Sequence, residues 1–210
     1  MKRSGCKGLL LLFGMLFALT GCEVAAGDTQ HGTAVDAIQV EDVLLQVDFL
    51  DVGQADCALL STNGHYMVID GGNNGDAAAT LSYLEGQGVQ KLDAVVGTHP
   101  HEDHIGSLDA IINHFDVDAV YMPKIMHTSK TFEDVLDAVA NKGLKIKSPN
   151  PGDTIDFNGL EITVLGPQRA YNDFNNNSIV LKVMAGETAF LFTGDAEETA
   201  EKDILQAGYD

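Results

Sequence analysis

The sequence predicts an α+β domain in which two β-sheets pack face to face and helices cover their outer sides. Two observations support this fold class. Beyond residue 44, short apolar strands alternate with helical segments as far as about residue 143, and strands predominate after it. Hydrophobic residues make up 45% of the 210 residues, which is enough for one core domain of this size.

The first 22 residues form a separate unit. Three basic residues precede an apolar run at residues 8–19, which is shorter than the roughly 20 residues needed to cross a bilayer. This pattern is typical of a secretory signal. Residues 19–22, LTGC, resemble the lipobox of bacterial lipoproteins, in which Cys22 is acylated and becomes the new N-terminus. The alternative is an ordinary signal peptide, or an N-terminal anchor, with a chance cysteine.

The rest of the chain divides into a linker and a domain. Residues 23–43 are rich in Ala, Gly, Asp and Thr without convincing periodicity, so we expect a flexible linker there. The folded domain is expected at residues 44–210. Acylation of Cys22 would hold this domain at the cell membrane, on the extracytoplasmic face, through a lipid anchor.

The charge of the chain is strongly negative. The formal net charge is −19, and because residues 1–22 contain three of the 12 basic residues and no acidic ones, the remainder carries −22. Such a surface repels polyanions and argues against tight, non-specific binding of nucleic acid. It also attracts divalent cations.

Strand and turn signals are regular from residue 44. Leu45, Val47 and Phe49 alternate with other residues and predict a strand at residues 44–52. Asn63-Gly64 separates two apolar runs and predicts a hairpin with a tight turn. The next elements are predicted, in order, as a helix at residues 77–85, a strand at 92–99, a helix at 105–115, a strand at 118–123 and a helix at 131–141 capped by Thr131 and followed by Gly143.

The second half is predicted to consist mostly of strands. Asn158-Gly159 marks a turn, and residues 185–187 join two strands in a second hairpin. The elements are predicted, in order, as strands at residues 144–149, 153–157, 160–167, 178–184 and 188–195, followed by a helix at 196–206.

A cluster of histidines and acids follows the strand at residues 92–99. His99, His101 and His104 surround Glu102 and Asp103. Side chains two apart in an extended chain point the same way, so the first two imidazoles can bind one metal while Asp103 and the third imidazole bind a neighbouring one. Imidazole and carboxylate ligands suit zinc, manganese or iron. A solvated loop or a buried polar cluster is the alternative.

Several segments resemble one known family. HPHEDH, residues 99–104, resembles the H-x-H-x-D-H signature of the metallo-β-lactamase superfamily. VIDGG with Asp70 and FLFTGD with Asp195 resemble two further motifs of that superfamily. FLDVGQADCALL, residues 49–60, and NNNSIVLKV, residues 175–183, are similar to the ComEC subfamily, the C-terminal domain of the bacterial competence DNA-uptake channel and its free-standing relatives.

The resemblance implies a four-layer αββα sandwich with a two-metal site at the sheet edges, and it assigns roles to individual residues. The cofactors implied are two divalent ions, zinc or manganese. The first ion would be bound by His99, His101 and Asp195, and the second by Asp103, His104 and Asp195. Asp70 would orient the histidine loop by hydrogen bonds, or cap the turn before Gly71-Gly72, or both. Asp51, Gln54 and Asp56 are assigned to substrate contact or support of the ligands.

The sequence departs from the superfamily pattern at two places. A third histidine ligand of the wider superfamily would fall at residues 175–178, where Asn177 or Ser178 would face the metal instead; the ComEC branch generally lacks this histidine. A final histidine motif is expected after Asp195 and does not occur in these 210 residues. We therefore expect a fragment in which the second metal site and the second half of the sandwich are incomplete.

The resemblance implies hydrolysis by a metal-bound hydroxide, which Asp103 would hold, because two neighbouring dications lower the pKa of a shared water. Phosphodiesters, phosphomonoesters, thioesters and amides are all chemically suitable. We favour a small phosphoester or a nucleic acid, in a nuclease-like reaction. The alternative is a surface lipoprotein that binds a metal or a ligand without turnover. No protein partner is evident from the sequence.

Overall fold

A computed structural model describes residues 45–209. The predicted signal peptide, Cys22 and the linker at residues 23–43 lie outside the described residues. Among residues 45–209, no helix combines the length and the apolar character needed to cross a membrane.

The larger sheet has six strands in the order β1-β2-β3-β5-β7-β8. The strands β1, β2 and β3 pair antiparallel, whereas β3, β5, β7 and β8 run parallel to one another. Because parallel strands end at the same edge, the loops after β3, β5 and β7 meet there. The strands are β1 Gln46–Phe49, β2 Ala58–Thr62, β3 His65–Ile69, β5 Ala94–Val96, β7 Val120–Tyr121 and β8 Ile146–Lys147; β4 Lys91–Leu92 and β6 Asp116–Val117 form a short separate ladder.

The smaller sheet is fully antiparallel, with the order β12-β11-β10-β9. Its strands are β9 Thr154–Phe157, β10 Leu160–Gly166, β11 Val180–Ala185 and β12 Thr188–Phe192. Ile155 and Phe157 are buried while Thr154 and Asp156 are exposed, the alternation of a strand with one face on a core. That core lies between the two sheets, where Phe157 and Ile162 pack with Leu60 and Met67 of the larger sheet.

Both predicted hairpins are confirmed, because β2 pairs with β3 across Asn63-Gly64 and β11 pairs with β12 across residues 186–187. The turn predicted at Asn158-Gly159 joins β9 to β10. Asn63 and Gly64 have φ of 49° and 80°, and Asn158 and Gly159 have φ of 50° and 81°. Two successive residues in the left-handed region give the type I′ turn that matches strand twist, and Asn followed by Gly is the pair that adopts it most readily.

Helices cover the outer sides of the sheets. Val68, Val95 and Val120 point away from the smaller sheet and pack with Leu108 and Phe132 of the helical layer. The helices are α1 Ala77–Gly86, α2 Glu102–Ile105, α3 Leu108–His114, α4 Lys130–Asn141 and α5 Glu198–Ala207, and α5 packs against β10 of the smaller sheet. The predicted α+β sandwich with four layers, αββα, is confirmed.

Three local predictions were wrong. The strand assigned to the second half at residues 144–149 joins the larger sheet as β8, because it pairs with β7. The helix predicted at residues 105–115 is divided into α2 and α3, because the chain bends after Gly106 against the loop at Asn73. The cap of α4 is Ser129, whose Oγ accepts a hydrogen bond from the Phe132 N–H at 3.2 Å.

Replacing Gly106 by alanine is expected to destabilise the domain. A Cβ at Gly106 would lie 2.3 Å from the backbone of Asn73 and Asn74, which neither chain segment can accommodate in place. We expect a loss of about 3 kcal/mol or more in the free energy of unfolding, measured by urea denaturation. Gly86→Ala is the control, since nothing lies within 4 Å of a Cβ placed at Gly86. In a helix, alanine is favoured over glycine by roughly 0.5–1 kcal/mol. Equal stability of the two variants would contradict this packing.

Candidate metal centre

The candidate site lies at the edge of the larger sheet where parallel strands end. Asp70 directly follows β3, and Thr98 and His99 follow β5, the neighbouring strand. The smaller sheet closes the site, because the Ile179 N–H donates to the Thr98 carbonyl at 2.9 Å. Asp195, after β12, is thereby brought to the same place.

Three of the predicted ligands converge. One ligand atom from each of His99, His101 and Asp195 lies within 4.8 Å of the other two. His99 Nε2 is 3.0 Å from His101 Nδ1 and 3.7 Å from an Asp195 carboxylate oxygen. His99 is completely buried. Two imidazole nitrogens and a carboxylate oxygen around one point fit a divalent cation such as zinc.

Asp195 also faces the third histidine of the motif. Its Oδ1 lies 3.1 Å from His104 Nε2, while Oδ2 is the oxygen near His99. The carboxylate is therefore placed between two imidazole groups. Its backbone N–H donates to Ser178 Oγ at 3.2 Å, and Gly194 before it has no room for a side chain, because a Cβ would lie 2.7 Å from Thr98 Oγ1.

Asp70 is hydrogen-bonded to the histidine loop. Its buried carboxylate accepts from the Thr98 N–H at 2.7 Å, from Thr98 Oγ1 at 2.7 Å and from His104 Nδ1 at 2.8 Å. Asp70 has φ of 57°, a left-handed conformation that Asp tolerates better than most residues. These contacts hold the imidazole of His104 so that Nε2 is presented to Asp195, which is how a carboxylate outside the ligand set orients a ligand.

A second group of potential ligands comprises Asp56, Asp70 and His104. It is a poorer metal site than the first. The His104 atom in this group is Nδ1, which lies 4.0 Å from Asp56 and is already hydrogen-bonded to Asp70. A cation there would have to break that hydrogen bond. We therefore treat Asp70 as an orienting residue and Asp56, which is exposed, as a neighbour of the site.

The structure departs from the predicted ligand set at Asp103. Neither group of converging ligand atoms among the described residues includes it. It lies in the first turn of α2, and its backbone carbonyl accepts a hydrogen bond from the Asp56 N–H at 3.1 Å. The side chain of Asp103 is half-exposed.

The other predicted residues have varied positions. Asn177 does not face the metal group: its amide bonds the Tyr171 N–H at 3.1 Å and the Tyr171 carbonyl at 2.9 Å, so it shapes a loop instead. Ser178 contacts Asp195 through the backbone bond described above. Asp51 and Gln54 lie exposed in the loop between β1 and β2.

The protonation states of the buried histidines differ. Burial, together with the nearby charges of His104 and His101, lowers the pKa of His99 to about 3, so its Nε2 lone pair is available to a cation. Burial also lowers the pKa of His104, but the hydrogen bond to Asp70 and its charge outweigh this and raise the pKa to about 9. Burial raises the pKa of Asp70, against the hydrogen bonds from His104 and Thr98.

Sequence reasoning missed two residues near the site. The ring centroid of His127 lies 6.4 Å from that of His101. The Phe174 ring lies 5.6 Å from His101 and 4.7 Å from His127. His127 belongs to the loop after β7, and the rule that parallel strands end at one edge is the signal that would have found it.

Comparisons with known proteins agree with this geometry. Residues 50–207 match the family model described as the metallo-beta-lactamase superfamily. ComE operon protein 3 of Bacillus subtilis is 26% identical over 179 residues, covering 76% of this chain and 23% of that protein. Competence protein ComA of Neisseria gonorrhoeae is 25% identical over 157 residues, covering 74% and 20%. The chain thus spans about a quarter or less of these two relatives.

Two further comparisons concern a hydrolase and a fold. Hydroxyacylglutathione hydrolase of Aeromonas hydrophila is 32% identical over 107 residues, covering 51% of this chain and 35% of that enzyme. Metallo-beta-lactamase SMB-1, crystallised with 2-mercaptoethanesulfonate, superimposes with a TM-score of 0.51 at 13% identity, covering 77% of this chain and 69% of the other, which shows a shared fold. The chain therefore belongs to the metallo-beta-lactamase superfamily, with competence proteins of the ComEC type among its homologues.

Proposed function

We propose that this protein is a metal-dependent hydrolase of phosphoesters, with phosphodiesters as the favoured substrates. The observation that carries the proposal is the position of the Asp195 carboxylate. One oxygen is 3.7 Å from His99 Nε2 and the other is 3.1 Å from His104 Nε2. A carboxylate between two sets of imidazoles is suited to join two cation sites, and paired cations serve phosphoryl transfer.

The residues of the chain have distinct tasks in this proposal. His99, His101 and Asp195 would hold the first cation, and His104 with Asp195 would contribute to a second. A bound cation supplies a more acidic water and polarises the bond that is cleaved. Asp103 is the carboxylate outside the converging group, so its oxygens are available to accept a proton from the attacking water.

The choice of phosphoester rests on the relatives and on charge. The name of competence protein ComA connects that protein with competence, and phosphodiesters are the linkages of nucleic acids. The charge of −22 beyond residue 22 disfavours tight binding of long nucleic acids, so small phosphoesters or short strands are preferred. Because the chain is similar to hydroxyacylglutathione hydrolase, a thioester is the second substrate to assay for comparison.

A second candidate function is metal or ligand binding without turnover. This function is favoured because the Asp56, Asp70 and His104 group is a poor site for a second cation: His104 Nδ1 is already hydrogen-bonded to Asp70. In this case the chain would bind one cation tightly. An assay of the full chain loaded with zinc or manganese, on bis(p-nitrophenyl) phosphate and on a glutathione thioester, tests the two functions. Metal-dependent cleavage of the phosphodiester supports the hydrolase, and binding of about one metal without cleavage of either compound supports the binder.

Asp70→Asn is expected to weaken metal binding by roughly 10- to 100-fold, because an amide cannot accept all three hydrogen bonds that orient His104 and the loop. Calorimetric titration of the full chain with zinc measures this. Asp93→Asn is the matched control: Asp93 also bonds a histidine, His65, at 2.9 Å, but at the surface and at the opposite ends of β3 and β5. Equal losses in both variants would contradict the role of Asp70.

The stability of the metal-free protein is expected to peak near pH 6.5. The folded-state pKa of His104, about 9, exceeds its ordinary 6.5, so its stabilisation is complete below pH 6.5 and lost as the pH rises through 9. The pKa of His99, about 3, is lower than 6.5, so its contribution is lost as the pH falls from 6.5. The alkaline loss is at most about 3 kcal/mol.

Urea denaturation of the chelator-treated protein between pH 5 and 9 measures the loss of stability on the acid side and on the alkaline side of the maximum. His104→Gln should abolish the alkaline loss of stability and reduce the acid loss without removing it, because the charge of His104 is gone while the burial that chiefly lowers the pKa of His99 remains. An alkaline decline that persists in this variant would show that His104 is not its origin.

We also propose that the protein is attached to a membrane through lipid on Cys22, from the LTGC segment behind the apolar run. Cys22→Ala should release the protein into the soluble fraction or block removal of the signal. Membrane fractionation and mass spectrometry of the processed chain measure this. Unchanged mass and fractionation would refute acylation, and Cys6→Ala, within the predicted signal, is the control.

A further inference from the structure

Two loops from different halves of the domain meet beside the metal centre. The loop after β7 carries His127, and the loop between β10 and β11 carries Phe174. The two rings are 4.7 Å apart at an interplanar angle of 76°, an edge-to-face contact. Both lie next to His101, at 6.4 Å and 5.6 Å between ring centroids. We call His127 and Phe174 the rim pair.

The ring of His127 is fixed in orientation. Its Nδ1 accepts a hydrogen bond from the Ser129 N–H at 3.1 Å, at the residue that caps α4. A neutral imidazole carries one proton, so with Nδ1 accepting, the proton lies on Nε2 and that atom is a donor. Phe132 of α4 contacts the ring at a centroid distance of 6.4 Å, and the residue is half-buried.

The loop that carries Phe174 is also held in place. The Phe174 carbonyl accepts from the Asn177 N–H at 3.1 Å. Asn176 bonds the Asp173 carboxylate through its backbone N–H at 2.7 Å and its side-chain amide at 3.0 Å. Asn177, which the sequence suggested for the metal, and its neighbour Asn176 therefore fix the position of an aromatic ring beside the metal centre.

We propose that His127 is a substrate-binding residue of this centre, donating a hydrogen bond from Nε2 to a phosphoryl oxygen while Phe174 holds its ring in place. The inference rests on the proposed function for the identity of the substrate. Its basis is the charge around the site: the Asp195 carboxylate lies between His99 and His104, and that of Asp56 lies 4.0 Å from His104, so both repel an anionic phosphoester. A neutral donor beside His101 attracts the phosphoryl oxygens without competing for the cation.

The test compares matched histidine variants in the full, manganese-loaded chain. His127→Phe keeps a ring against Phe174 and Phe132 but removes the Nε2 donor. His114→Phe is the control, because His114 pairs with Glu85 on the exposed side of α3. Inorganic phosphate is the binding probe, measured by calorimetry, and bis(p-nitrophenyl) phosphate is the substrate.

His127→Phe should weaken phosphate binding by roughly 3- to 10-fold, the value of one hydrogen bond. KM should rise by a similar factor with a smaller change in kcat, while metal content and thermal midpoint stay unchanged. His127→Gln, which keeps a donor, should restore part of the affinity. His114→Phe should alter none of these quantities.

The other outcomes overturn one idea or both. Lower metal content in His127→Phe would make His127 a ligand, and unchanged phosphate binding would make the rim pair a packing contact; either result refutes the inference and leaves the hydrolase intact. If the wild-type protein binds phosphate in a His127-dependent way but cleaves nothing, the inference stands and the proposed hydrolase fails. A wild-type protein that neither binds phosphate nor cleaves the diester refutes both.

Discussion

The arrangement of the site depends on one buried carboxylate. Asp70 is almost completely buried and accepts three hydrogen bonds, two from Thr98 and one from His104. A buried carboxylate without partners costs several kcal/mol, so the end of β5 and the short helix α2 have to lie where they satisfy it. The Gly71 N–H also donates to the His104 carbonyl at 2.7 Å, which ties the loops after β3 and β5 together a second time. The histidine motif thus has a fixed geometry because its neighbours must satisfy Asp70.

Both sheets contribute residues to the site. The histidines belong to the first half of the chain, but the carboxylate between them comes from the end of β12. Its position follows from contacts between the sheets, since Ile179 bonds Thr98 and Ser178 bonds Asp195. The apolar core between the sheets therefore has a functional consequence, because it sets the distance between Asp195 and the histidines.

The carboxylates of the site have opposite effects on cations and on anionic ligands. The chain as a whole is acidic, with a formal net charge of −19, and the carboxylates near the histidines favour cations. A phosphoester is repelled by the same carboxylates unless cations and neutral donors offset them. Asn176 and Asn177 contribute indirectly, because they hold the loop whose Phe174 ring contacts His127, the proposed neutral donor.

The sequence by itself determined the fold class, both hairpins and the cluster at His99, His101 and His104, because alternation, Asn-Gly turns and ligand spacing are local patterns. It did not determine the partner of β8, the break at Gly106 or the nearness of His127 to His101. Those depend on which strand lies beside which and on how closely loops approach, and no local pattern encodes either. The family resemblance assigned Asp195 to both ligand sets, but its position between His99 and His104 is a product of tertiary structure, because only the packing of the two sheets brings these distant segments to one edge.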